Sequence, residues 1–207
     1  MSDKYRFDTI SLHSGHVPDK ETGSRAVPIY QTTSYVFKDT DEAAALYNME
    51  VGGHLYTRIS NPTIATLEQR LASLDGGVSC IACSSGMAAM HLVVSAICSS
   101  GDHIVASNKM YGANINLLQH TMTRFGIKTD FVNPNDLEEI EKSIKPNTKL
   151  VFGEVIGNPG LDVMNVPEVA KICKKKNVPL AIDATFNTPY LMKPISHGAN
   201  IVIHSLT

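Results

Sequence analysis

Asp183 ends an apolar run, Leu180-Ala181-Ile182-Asp183, and is followed by Ala184-Thr185-Phe186. A carboxylate at the tip of a buried strand must face a cation, a metal or a protonated ring nitrogen, because an unpaired buried charge is too costly to keep. No second carboxylate or histidine stands near it in a metal-ligand spacing, so no metal centre is expected. A second run of apolar or aromatic-capable residues, Ile201-Val202-Ile203-His204, leads into Ser205-Leu206-Thr207. Residues 205 and 207 share a face in an extended segment, and two hydroxyls on one side suit phosphate oxygens. Nearer the other end of the chain, Tyr56-Thr57-Arg58 offers an arginine, the preferred fork for phosphate. Taken alone, an exposed Tyr and Arg mean little.

Three further segments follow apolar runs. Ser84-Ser85-Gly86-Met87-Ala88-Ala89 opens a helical pattern. Its small residues let a ligand approach the backbone, and free N–H groups at a helix start favour an anion; tight packing is the more frequent reason for such residues. Tyr111, beside Gly112, stands at a strand-to-helix junction, where it either stacks on a flat ring or finishes the edge of the core. Glu154 ends a run and needs a partner, either a cofactor group or a helix cation. Asn158 precedes Pro159 and is therefore held extended, so its amide is directed at a ligand or caps a turn. Together these residues describe a phosphate cradle, a stacking ring, a carboxylate for a ring nitrogen and a pair of hydroxyls. Pyridoxal phosphate asks for all four, since its ring is an electron sink only while the pyridine nitrogen stays protonated. The lysine that must carry its aldehyde as a Schiff base follows no strand-end hydroxyl pair within the 207 residues.

These groups need elements to hold them. Strand-like runs at 78–83, 103–107, 128–132, 150–154, 179–183 and 201–204 alternate with helical patterns at 85–99, 112–125, 136–144 and 166–176. Asn135 is the expected cap of the third of these helices, and Ile115, Leu118, Met122 and Phe125 mark the inner face of the second. Such alternation implies an α/β fold, a mostly parallel sheet with helices on both faces, whose ligand site lies outside the carboxyl ends of the strands. Residues 1–62 are rich in Pro, Gly, Thr and Tyr with little periodicity and read as an extended N-terminal arm against a partner subunit; residues 63–207 read as the cofactor-binding domain.

Composition is that of an ordinary globular protein: 43% hydrophobic, 18% charged, net charge −2. It suggests neither a nucleic-acid nor a membrane surface. The run Lys174-Lys175-Lys176 suits the end of a helix, where positive charge meets the macrodipole. With no apolar stretch long enough to span a bilayer and a polar start, a cytoplasmic protein is expected. The four cysteines are expected as buried free thiols, Cys80 and Cys83 pointing to opposite faces of a strand.

The segments Leu55-Tyr-Thr-Arg-Ile-Ser-Asn-Pro-Thr63, Ser84-Ser-Gly-Met-Ala-Ala89, Met110-Tyr-Gly112, Gly153-Glu-Val-Ile-Gly-Asn-Pro159, Ile182-Asp-Ala-Thr-Phe186 and His204-Ser-Leu-Thr207 resemble, in order, the Cys/Met-metabolism family of pyridoxal-phosphate enzymes. The resemblance implies the large domain of the aspartate-aminotransferase-like fold, with the Schiff-base lysine expected directly after Thr207 and a smaller C-terminal domain beyond it. It implies that Tyr56, Arg58, Ser85, Gly86, Met87, Tyr111, Asp183, Thr185, Ser205 and Thr207 bind the cofactor. Tyr56 and Arg58 would reach into a neighbouring subunit's site. Tyr111 and Asp183 would be catalytic, and Asn158 and, more weakly, Glu154 would lie near the substrate. The wording is most similar to members that carry out γ-replacement on O-acetyl-L-homoserine with sulfide or a thiol, giving homocysteine or methionine, in homodimers that share active sites and pair into tetramers. Other members of the family are the nearby alternatives: cystathionine γ-synthase, the methionine and cystathionine γ-lyases, and a sulfhydrylase using O-succinylhomoserine. Two further alternatives are a non-catalytic nucleotide-binding α/β domain, which the absence of a glycine-rich phosphate fingerprint disfavours, and a half-length, non-catalytic fragment. The chain departs from the family pattern at Ala184, where Asn is usual, and at Ser84, where Ala is usual. Ala113 stands where methionine γ-lyases commonly carry Cys, which speaks against the lyase reading.

Overall fold

The structure, a computed structural model, describes residues 5–207. They fall into two compact units, one ending at Ala82 and the other running Cys83–Thr207. The first unit holds helices α1 (Phe7–His13), α2 (Thr40–Tyr47) and α3 (Pro62–Asp75) in otherwise irregular chain. α3 starts where helical periodicity begins: Asn61 accepts from Thr63 N at 2.9 Å, and Pro62 takes the first turn, where its missing N–H costs nothing. α1 is tied to α3 by Arg70 Nε donating to the Ser14 carbonyl at 2.9 Å and by the Ser14 and Ser73 hydroxyls 2.7 Å apart.

The run at 78–83 is not the strand its composition suggests. Val78 and Ile81 are exposed and the segment joins no ladder. A mostly apolar run becomes a strand only where a sheet edge can pair its N–H and C=O groups, and here Ala82 N donates instead to Glu68 of α3, at 2.8 Å. Accordingly Cys83 is exposed and Cys80 half-buried, while Cys98 and Cys173 are buried; none of the four is in a disulfide. Burial pushes the Cys98 thiol up to about 11 and the Cys173 thiol up to about 12, which makes both inert.

The second unit is the expected α/β arrangement. Strands β1 (His103–Ser107), β2 (Lys128–Val132), β3 (Thr148–Glu154), β4 (Leu180–Asp183) and β5 (Ile201–Ile203) form one parallel sheet in the order β2-β1-β3-β4-β5. Side chains alternate between its faces. Ile104, Ala106, Leu150 and Phe152 join Met90 and Val94 of helix α4 (Gly86–Ile97) in one core. Val105, Val151, Leu180 and Ile182 join Ile140 of α6 (Leu137–Ser143) and Val166, Val169 and Cys173 of α7 (Val166–Lys176) in the other. The lysines 174–176 close α7, and Lys175 reaches Glu141 of α6 at 2.7 Å.

Two details differ from the periodicity. α6 is capped by Asp136, which accepts from Glu139 N at 2.9 Å, not by Asn135, whose own N–H is engaged by the Asn133 side chain. The helix following β1 begins as α5 (Gly112–Asn116), widens to i→i+5 bonding over Leu117–Thr121 and tightens over Met122–Phe125. The wide turn adds a residue and rotates the face by about 100°. Met122 stays inward, but Phe125 lies exposed.

At the N-terminal edge of the sheet, buried His103 sits with Nδ1 2.8 Å from the Thr148 hydroxyl and Nε2 3.2 Å from Asp130, which also binds Lys145. Burial, and then Lys145, hold its pKa below the ordinary imidazole value; Asp130 only partly opposes them. The unfolded chain therefore binds the proton more readily, and stability falls as pH drops below about 6.5 until the folded value is reached. We expect the urea midpoint of the wild type to fall between pH 7 and pH 5 more steeply than that of His103→Gln. Parallel slopes would show that His103 does not contribute.

Candidate active site

The strand order reverses between β1 and β3: the chain goes outward from β1 to β2, then returns to the other side of β1. Loops leaving the carboxyl ends of β1 and β3 diverge at such a point and open a crevice, the usual ligand site of open α/β sheets. Glu154 ends β3 on one side of it, and the loop after β1 brings Tyr111 to the other. Glu154 Oε1 accepts from Tyr111 N at 2.8 Å and from Asn114 Nδ2 at 3.1 Å, and Oε2 accepts from Asn158 N at 3.3 Å. Burial raises the Glu154 pKa above the usual carboxylate value, and Asp183 adds to the effect; the hydrogen bonds pull the other way without cancelling it. Asp183 is the in-register neighbour of Glu154 on β4. Two carboxylates side by side at the floor of a crevice create a demand for positive charge there.

A chain of hydrogen bonds leads from Asp183 along the strand ends. Thr185 N donates to Asp183 Oδ1 at 2.9 Å, and Ser205 N donates to the Thr185 hydroxyl at 2.8 Å. The hydroxyls of Ser205 and Thr207 lie 2.9 Å apart. Next to them α4 begins. Ser85 caps it by accepting from Ala88 N at 3.1 Å, which leaves the N–H groups of Gly86 and Met87 without intrahelical partners. A side chain at Gly86 would bring its Cβ to 2.7 Å from Ser205 Cβ. Glycine is thus what allows the helix start to meet the two hydroxyls. Gly157 plays a similar part in the loop after β3, where a Cβ would strike the Lys109 carbonyl.

The second unit therefore brings together Ser85, Gly86, Met87, Ser205 and Thr207 as one polar cluster, and Tyr111, Glu154, Asn158, Asp183 and Thr185 beside the crevice. The Tyr111 side chain is half exposed and its ring is free to meet a ligand. Tyr56 and Arg58 belong to the first unit. There Thr57 N donates to the Thr33 carbonyl at 2.8 Å, and its hydroxyl bonds the Thr32 carbonyl. The Arg58 guanidinium lies 5.5 Å from the Tyr56 ring centre, a cation–π pair presented to solvent.

Asn114 escapes a reading by motif. Its signal is modest: a polar residue three positions after Tyr111, on the inward face of α5, where it is 2% exposed and must find a partner.

Pyridoxal phosphate fits this donor set. Paired hydroxyls and a helix N-terminus whose glycine keeps the approach open suit a dianion. Asp183 beside Glu154 suits a protonated ring nitrogen. Among the described residues no cluster of three His, Cys, Asp or Glu side chains is placed to hold a metal ion, and no helix is long and apolar enough to cross a membrane.

Comparison with known proteins agrees with the geometry. The family described as Cys/Met metabolism PLP-dependent enzyme matches residues 8–207. O-acetyl-L-homoserine sulfhydrylase of Leptospira meyeri is 47% identical over 207 residues, covering 100% of this chain and 47% of that protein. Homocysteine synthase of Schizosaccharomyces pombe is 44% identical, covering 97% of this chain and 47% of that protein. The crystal structure of an O-acetylhomoserine (thiol)-lyase from Campylobacter jejuni, which carries a pyridoxyl-lysine phosphate, superposes with a TM-score of 0.94 at 39% identity, over 98% of this chain and 50% of that one. The chain thus spans about half the length of the curated relatives it matches.

Proposed function

Because this chain belongs to the Cys/Met metabolism family of PLP-dependent enzymes, we propose that it serves γ-replacement on O-acetyl-L-homoserine: acetate leaves the γ-carbon, and sulfide or a thiol takes its place, giving homocysteine or methionine. The observation that carries the choice within the family is the 47% identity, over the whole chain, to a relative named for that substrate. Ala113, where methionine γ-lyases commonly carry Cys, supports it over that lyase.

Bound pyridoxal phosphate supplies an electron sink for the charge that develops at the substrate α-carbon. The chain's own residues hold it ready. Gly86 and Met87 N–H groups, with the hydroxyls of Ser85, Ser205 and Thr207, grip the phosphate. Tyr56 and Arg58 complete that grip in a neighbouring subunit of a homodimer that pairs further into a tetramer. Asp183, steadied by Thr185 N, keeps the proton on the pyridine nitrogen. The Tyr111 ring stacks on the cofactor, and its hydroxyl moves protons at the substrate. Asn158 directs its amide to the phenolic oxygen and the substrate. Fixed groups on strand ends limit reorganisation while the substrate reacts. The expected setting is the cytoplasm.

Product analysis tests the reading. Purified protein given O-acetyl-L-homoserine and sulfide should release homocysteine and acetate in equal amounts, with slower turnover of O-succinylhomoserine, cystathionine and methionine. Release of ammonia and a 2-oxo acid from methionine as the fastest reaction would move the assignment to a γ-lyase. Absence of cofactor binding would remove it altogether.

A further inference from the structure

Glu154 is chemically out of place. It is 7% exposed, yet no Lys, Arg or His among the described residues pairs with it, and its in-register neighbour is another carboxylate. A glutamine or an apolar residue would avoid that electrostatic cost. What it has instead is three neutral donors converging on both oxygens: Tyr111 N at 2.8 Å, Asn114 Nδ2 at 3.1 Å and Asn158 N at 3.3 Å. With about four acceptor sites on a carboxylate, little capacity remains for a substrate group. The donors come from both walls of the crevice, Tyr111 and Asn114 from the segment after β1 and Asn158 from the loop after β3. Tyr111 has no side-chain cap of its own at the start of α5, so Glu154 supplies the restraint from the neighbouring strand.

We infer that Glu154 is a positioning residue which fastens Tyr111 and Asn158 at one mutual spacing through their backbone N–H groups, and is not a substrate contact. This rests on the pyridoxal-phosphate reading above, in which the Tyr111 ring stacks on the cofactor and the Asn158 amide is directed at it. The carboxylate is needed because only a group that accepts at both ends can serve donors on opposite sides. Glutamine of the same shape has one accepting oxygen; its NH2 would face an N–H group whichever way the amide turned.

The test uses cofactor binding and the visible circular dichroism of bound pyridoxal phosphate, which reports the chiral surroundings of the ring rather than fold stability. Glu154→Gln is expected to keep the far-ultraviolet spectrum, weaken pyridoxal phosphate binding about tenfold and change the visible dichroism. In a Tyr111→Ala background the same substitution should cost no more than about threefold, because one of the two groups it positions is gone. The full factor in both backgrounds, or unchanged affinity and dichroism in folded Glu154→Gln, overturns the inference. Should Glu154→Gln not fold, Asn114→Ala removes one of the three donors and leaves the carboxylate. It is expected to produce the same spectral change with a smaller loss of affinity, and wild-type affinity and dichroism in that folded variant would overturn the inference equally. A wild-type protein that takes up no pyridoxal phosphate overturns the functional reading itself, an outcome distinct from either variant result.

Discussion

Asp183→Ala is expected to lower turnover by about 10²- to 10⁴-fold and to weaken cofactor retention. Asp183 stands at the carboxyl end of β4, and its Oδ1 is oriented by Thr185 N at 2.9 Å. If the pyridine nitrogen meets this carboxylate, its proton is held by a charge-assisted hydrogen bond. Alanine there removes the anion and leaves the ring neutral and a poorer electron sink. The loss of one partner from a largely desolvated charge pair is worth about 2–4 kcal/mol, or about 30- to 1000-fold in cofactor affinity. Asp183→Asn keeps the shape and the possibility of a hydrogen bond but not the charge, so it should retain more cofactor than alanine while remaining slow. The measurements are turnover at saturating cofactor and fluorescence titration of pyridoxal phosphate. Native turnover in Asp183→Ala would remove the electron-sink assignment.

The largest expected loss of stability comes from Phe152→Ala. Phe152 is fully buried in β3, the middle strand, among Met90, Leu118, Met122 and Ile203 of the core that faces α4. Truncation removes the ring's burial and leaves a cavity that close-packed neighbours cannot fill, a loss of about 3–5 kcal/mol. For a chain of this size the thermal midpoint should fall by about 6–20 °C. Urea and thermal melts without cofactor measure it, and a loss below about 1 kcal/mol would mean that the core closes over the gap. Phe152 and Glu154 lie on the same side of β3, so a folded Phe152→Ala protein should also bind pyridoxal phosphate less tightly.

Much of the unit that holds the site is legible in the sequence, for a specific reason. Parallel strands covered on both faces must be apolar throughout, so a run such as Leu180-Ala181-Ile182 announces itself, and the first polar residue after it, Asp183, marks the end where ligands gather. The same logic locates Ser107 and Glu154. The run at 78–83 obeys the composition of a strand and has no ladder, because pairing depends on a free neighbouring edge and not on apolar content. Phe125 keeps helical spacing and still turns outward, because hydrogen-bond slippage within a helix leaves no mark in the pattern. Most telling is Glu154. Periodicity identifies the ends of β1 and β3 but not that the two strands lie side by side with β2 outside them. The bonds from Glu154 to Tyr111 and Asn114 exist only because of that order. The grouping of Ser205 and Thr207 beside Gly86 has the same origin.

In the proposed phosphate grip, the meeting of Gly86 with Ser205 would also govern when a ligand can be captured. Helix α4 and the segment after β5 form that contact, so a nascent chain lacks it until β1 to β5 are in register. A molecule held there would act as a latch across these five strands: it would favour their paired state by mass action and leave partly paired forms unaided. Cofactor supply would then help decide how long the protein survives proteolysis, whatever its catalytic rate.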